Sequence, residues 1–159
     1  MNTIEVSIAP QLTGFQLEML PKNPRSFIRK ILKAVLEAEG AKNKRISLTL
    51  IDDQQMQELN GSYRKLDEPT DILTFAQADG QAFPKAPGQE DVMGDVFISL
   101  DTLKRNSECF NVSPLEELVR LLIHGYLHLS GANHQTNDAS EPMLIRQEQI
   151  LESFKGRLF

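Results

Sequence analysis

SPLEELVRLLIHGYLHLSGANH, residues 113–134, decides how this chain is read. Ser113-Pro114 with Glu116 is a helix start: the hydroxyl caps, the proline fits the first turn, and Glu116 is placed to complete a capping box. Leu115, Leu118, Val119, Leu122 and Tyr126 recur at helical spacing, so the helix runs to about Leu129, and Gly131 is placed to end it. All three histidines of the chain fall here, at 124, 128 and 134. His124 and His128 are four residues apart, so on a helix their rings share one face, a turn apart. The break at Gly131 lets the chain turn back and deliver His134. Three imidazoles with an open fourth position suit a catalytic metal ion, because the open position takes water. A structural ion would need a fourth ligand; no cysteine is near, and Asp138 is the candidate.

The spacing is that of the metzincin pattern H-E-x-x-H-x-x-G-x-x-H, with one difference. Where that pattern has its glutamate general base, this chain has Gly125. A glycine inside a helix costs about 1 kcal/mol relative to alanine. Something must require it, and close approach of substrate beside the metal is the expectation. Without the glutamate, peptide hydrolysis lacks its proton acceptor. The ligand set therefore points to a metal-dependent hydrolase and away from a protease. A lone helical histidine is ordinarily a packing residue; three at this spacing, with none elsewhere, favour an ion. Zinc is the default cofactor for three imidazoles, one ion per chain, with nickel the alternative. Partners for the second ring nitrogens are sought among Glu116, Glu117, Asp138 and Glu141.

Working outward, TIEVSI (3–8) and RISLTLID (45–52) alternate apolar and polar residues and read as strands. Residues 10–22 between them read as irregular. Asn23-Pro24 then opens a helix carrying Phe27, Ile28, Ile31, Leu32, Val35 and Leu36 on one face, and Gly40 ends it. Asp52 or Asp53 caps a short helix with Met56 and Leu59, which Asn60-Gly61 closes. TDILTF (70–75) and GDVFISL (94–100) are two further strands. The loop between them, 77–91, holds Pro84, Pro87, Gly80 and Gly88, and its length suggests a lid or binding loop. Residues 101–110 form a short helix and 141–154 a last one, with Met143, Leu144, Gln147, Ile150, Leu151 and Phe154 at helical spacing. The order predicts one α+β domain over 1–159, a small mixed sheet of about four strands packed with helices around the metal-bearing helix.

Composition bounds the partners. The chain has 159 residues, 40% hydrophobic and 25% charged, which is ordinary for a soluble globular protein. No apolar run approaches a membrane span, and the start lacks the pattern of a secretory signal. Cys109 is the only cysteine, so no internal disulfide forms, a reducing cytoplasmic compartment fits, and the thiol reads as a half-buried packing residue. Between Lys22 and Arg45 eight basic residues face two acidic ones, although the whole chain carries a net charge of −5. Such a stretch is either a solvated helix face or a local receiver for a polyanion.

HGYLHLSGANH (124–134) closely resembles the H-G-x-L-H-L-x-G-x-D-H signature of the YbeY family of endoribonucleases and ribosomal-RNA maturation factors. LNGSYRKLDEPTDILTF (59–75) and GDVFIS (94–99) resemble two further segments of that family, in the same order. The resemblance implies a zincin-like α+β fold, a zinc-type metal on His124, His128 and His134, and cleavage of single-stranded RNA. It also implies work on the 3′ end of 16S ribosomal RNA, on the small ribosomal subunit with its associated factors, and in ribosome quality control. DNA and membranes are not expected partners. Arg64 matches the family arginine at the site, and a guanidinium suits that place because it holds two phosphate oxygens and stays charged. Lys65 and the basic helix from Arg25 to Lys33 would follow the RNA backbone, and strand 94–99 would border the cleft as an edge strand. Asn133 departs from the family, which has aspartate there; an amide can orient a ligand but cannot take a proton, which leaves the general base open. Two alternatives remain: a metallopeptidase-like hydrolase, which needs a carboxylate beside the metal, and a non-catalytic ribosome-associated protein with a structural ion.

Overall fold

The two alternating segments in the first third of the chain become neighbouring parallel strands, β1 (Thr3–Ile8) and β2 (Lys44–Ile51), with Ile4 beside Ile46 and Val6 beside Leu48. The computed structural model describes residues 1–77 and 88–159. Most of the expected loop at 77–91 therefore lies outside the described residues. The residues expected to be irregular contain a single turn of helix, α1 (Phe15–Glu18). A parallel pair needs a crossover, and α2 (Pro24–Ala38) supplies it, burying Ile28, Ile31, Leu32, Val35 and Leu36.

Next comes α3 (Asp53–Arg64), then β3 (Ile72–Ala76), β4 (Asp91–Ser99), α4 (Leu100–Cys109), α5 (Pro114–Leu129) and α6 (Pro142–Phe154). The sheet order is β1-β2-β4-β3, with β4 parallel to β2 and β3 antiparallel to β4. The mixed four-stranded sheet of the sequence reading is thus present. The strand at 94–99 is not an edge, however: β4 lies inside, paired on both sides, and the edges are β3 and β1. Helices α2 and α5 pack together, and Ile4, Val6, Ile46, Leu48, Leu50, Val96 and Ile98 form a shared core with them.

Three local expectations are corrected. Asn60-Gly61 does not close α3, which continues to Arg64 and ends at Lys65 in the left-handed region, φ 58°. Asn60 is buried and donates to the Glu68 carbonyl at 2.8 Å, so tertiary contact overrides its turn preference. The capping box forms at α3, between Asp52 and Gln55, and only half of one at α5: Ser113 Oγ accepts from the Glu116 N–H while the Glu116 carboxylate turns to Arg120 and Lys155. Cys109 is exposed rather than half-buried. No helix among the described residues is long and apolar enough to cross a membrane.

Candidate metal centre

Helix α5 is apolar on nearly every side, and its two histidines are half-buried between the core and one cavity. Gly131, at φ 102°, adopts a backbone that costs little only for glycine, and the chain reverses there to bring His134 over the helix end. One ring nitrogen from each of His124, His128 and His134 lies within 4.8 Å of the other two. Ring centroids are 4.7, 5.2 and 5.3 Å apart. His124 Nε2 and His128 Nε2 are separated by 3.1 Å. Two nitrogens bound at about 2.0–2.1 Å to one tetrahedral zinc would be about 3.3 Å apart, so the rings are spaced as ligands.

The other ring nitrogens are held. His124 Nδ1 faces Gln147 Oε1 at 2.6 Å, and Gln147 Nε2 donates to Glu148 Oε2 at 3.2 Å. A carboxylate only accepts, so the amide NH2 must face Glu148 and the amide oxygen must face the ring. That places the His124 proton on Nδ1 and leaves Nε2 free. His134 Nδ1 donates to the Thr136 carbonyl at 2.8 Å, which frees its Nε2 as well. Asn133 hydrogen-bonds His128, as does the backbone of Ala132. Burial pulls the His124 and His128 pKa values down, favouring the neutral rings a cation needs. The donor set fits a divalent ion with nitrogen ligands. None of the four acidic residues considered as partners is the one bonded to a ring. Asp138 instead accepts from the Ser140 N–H, and among the described residues no carboxylate joins the cluster.

The histidines open into a cavity of about 500 Å³ whose other walls are Arg64, Thr70, Asp71, Ile72, Thr74 and Asn137. Arg64 thus lines the same cavity as the histidines, from the last turn of α3, and it makes no ion pair or hydrogen bond with any described residue. Lys65 and the basic face of α2 do not line this cavity. The edge strand β3 does, through Ile72 and Thr74. Sequence reasoning missed Asp71, Gln147 and Thr136. Asp71 is a largely buried carboxylate whose pKa burial raises, partly offset by hydrogen bonds from the Ile72 backbone, Thr70 and Asn106. The helical period of α6 was the only sign of Gln147, and it read as packing.

Gly125 serves a different purpose from the one expected. A Cβ there would lie 3.2 Å from Ile72 Cδ1 and 3.2 Å from a Val96 methyl. The glycine lets α5 settle onto β3 and β4; it does not face a substrate.

The comparisons with known proteins agree with this geometry. The family model described as endoribonuclease YbeY matches residues 15–155. A Treponema denticola protein named endoribonuclease YbeY is 41% identical over 98% of this chain and 95% of its own. Proteins of the same name from Desulforamulus reducens and Bacillus licheniformis are 35% and 32% identical, over 82% and 85% of this chain and 86% and 88% of theirs. Among solved structures, the solution structure of a Thermotoga maritima protein matches with a TM-score of 0.59 at 27% identity, covering 94% of this chain and 87% of that one. With a three-histidine cluster at the end of α5, an arginine lining the same cavity, and relatives matched over nearly their full length, this chain belongs to the endoribonuclease YbeY family.

Proposed function

We propose that the chain is a metal-dependent endoribonuclease that cuts single-stranded RNA, with one zinc ion on His124, His128 and His134 and with Arg64 as the catalytic cation. The observation that carries this is the convergence of three imidazole nitrogens and a guanidinium, unpaired among the described residues, on one cavity of about 500 Å³. A zinc ion bound there supplies Lewis acidity toward a phosphoryl oxygen and lowers the pKa of water. The protein supplies the rest. Arg64 holds phosphate oxygens as charge develops on them, a contribution of the kind worth about 10²–10³ in kcat. Gln147 and the Thr136 carbonyl fix two ring orientations, and Asn133 steadies the third. Asp71 is the carboxylate on the cavity wall, in a chain that has glycine at 125 and an amide at 133.

The substrate in this reading is ribosomal RNA, with the 3′ end of the 16S species as target, and the small ribosomal subunit with its factors as the setting. The exposed Arg25, Arg29, Lys30 and Lys33 of α2, with Lys65, suit contacts to RNA phosphates outside the cavity. A cytoplasmic location belongs to the same reading. The test is cleavage of a single-stranded RNA by purified protein, with inspection of the product ends. His124→Ala that folds but does not cut supports the site, and a folded His124→Ala that still cuts rejects it. Elemental analysis of protein purified without a metal column distinguishes zinc from nickel.

A further inference from the structure

Helix α3 and the sheet face turned away from α5 leave a second cavity, of about 660 Å³, apart from the histidine site. Its walls include Ser7, Thr49, Gln55, Ser62, Tyr63 and Phe97. Tyr63 is 67% exposed, an unusual state for so large a ring. Its hydroxyl has no hydrogen-bond partner among the described residues, so the side chain is not held by its polar end. It is held instead by an aromatic row. Phe75 meets the Tyr63 ring edge-on, with centroids 5.0 Å apart and planes at 66°, and Phe97 meets Phe75 at 5.9 Å and 81°. Tyr63 thus stands braced on one side and open to solvent on the other.

Its position along the chain adds a second observation. The next residue is Arg64, which lines the histidine cavity, and consecutive Cα atoms are about 3.8 Å apart. Successive helical side chains point about 100° apart, so Arg64 and Tyr63 look onto separate cavities that one strand of a few nucleotides can span. Bases of a single strand stack readily on exposed aromatic faces, and the hydroxyls and amide of Ser7, Thr49, Ser62 and Gln55 offer partners for a base edge.

We propose that the groove between α3 and the sheet is a nucleobase site, in which Tyr63 stacks on a base of the same strand whose phosphate Arg64 holds. This rests on the RNA reading of the histidine site. It gives that site a way to prefer single strands, because a base paired in a duplex must first be unpaired and unstacked, at a cost in free energy, to reach Tyr63.

The chain offers its own probe. It has two tyrosines and no tryptophan, and the other tyrosine, Tyr126, is only 5% exposed. Metal-loaded protein is titrated with a short single-stranded adenylate oligomer made uncleavable by 2′-O-methylation, and tyrosine emission and affinity are followed. Saturable quenching is expected. Tyr63→Phe is expected to abolish the quenching and keep the affinity within about twofold. Tyr63→Ala is expected to weaken binding roughly 5- to 100-fold, the range for loss of one base–aromatic stack. An abasic unit at one position of the oligomer should reproduce that loss in the wild type and add nothing in Tyr63→Ala. Quenching that survives in Tyr63→Phe overturns the proposal. So does a Tyr63→Ala variant that melts at a lower temperature yet binds RNA as the wild type does, because Tyr63 then only covers Phe75. Cleavage of unmodified RNA is scored separately. An oligomer that quenches Tyr63 but is never cut when unmodified refutes the nuclease reading and keeps the stacking site. Normal affinity and cutting by Tyr63→Ala do the reverse.

Discussion

Gln147 settles which nitrogen of His124 carries the proton, and it does so from another helix, 23 residues along the chain. Hydrogen-bond partners of metal-bound imidazoles typically contribute 10–100-fold in metal affinity. Gln147→Ala is expected to lose metal affinity in that range, measured by competition with a chelating dye, while Gln147→Glu keeps it. Equal affinity in all three proteins would remove Gln147 from the site. Glu117 provides a second reading at this scale. Burial pushes its carboxyl up to about 7, against the pull of Arg120. Between pH 4.5 and 7 the folded state therefore holds a proton that the unfolded chain has released. Stability contributed by this group falls as pH rises through that window, by about 3 kcal/mol in all. Glu117→Gln removes the fall. The difference between wild-type and variant urea curves should widen from pH 5 to 7 in favour of the variant. His124 and His128, with lowered pKa values, slope the other way but do so equally in both proteins. The three histidines were legible in sequence because one helix and one turn hold them all. Gln147 and Asp71 were not, because α6 and β3 reach the cavity only through tertiary packing.

Among the elements, β3 and β4 explain two of the sequence segments. Gly94 has φ 140°, and a Cβ there would lie 2.1 Å from the Phe75 carbonyl oxygen. The register also shifts here: Arg45 pairs with Val92 and Ile46 with Gly94, which leaves Met93 as the extra residue of a bulge. Gly94→Ala must displace the edge strand. A loss of about 3 kcal/mol is expected, or roughly 10 °C in Tm. A Tm within about 2 °C of the wild type would show that the strand yields easily. The alternation of GDVFIS correctly announced a strand. It could not announce an interior one, because pairing on both sides is a property of neighbours. The identity of the edge was therefore misread, whereas α2 and α5 were placed nearly to the residue by their own caps and apolar periods.

Across the whole molecule, one cation would join the end of α5 to the segment after Gly131 that carries His134. An ion that binds only the folded chain stabilises it by about 4 kcal/mol at a free concentration a thousand times its dissociation constant. Chelation should lower Tm, and returning zinc should restore it. His134→Ala should start near the chelated value and respond little. An equal response in that variant would exclude the third ligand. The zinc-induced rise should shrink in acid, since protons compete with the ion for the His124 and His128 rings.

β3 precedes β4 in the chain but lies beyond it in the sheet. Its ladder runs to β4 alone, and its other rim carries no strand among the described residues. The wall of the cavity is therefore fastened from one side only, and it is expected to open ahead of the interior strands when the molecule breathes. Deuterium uptake should be faster at the Ile72–Ala76 amides than at those of β2.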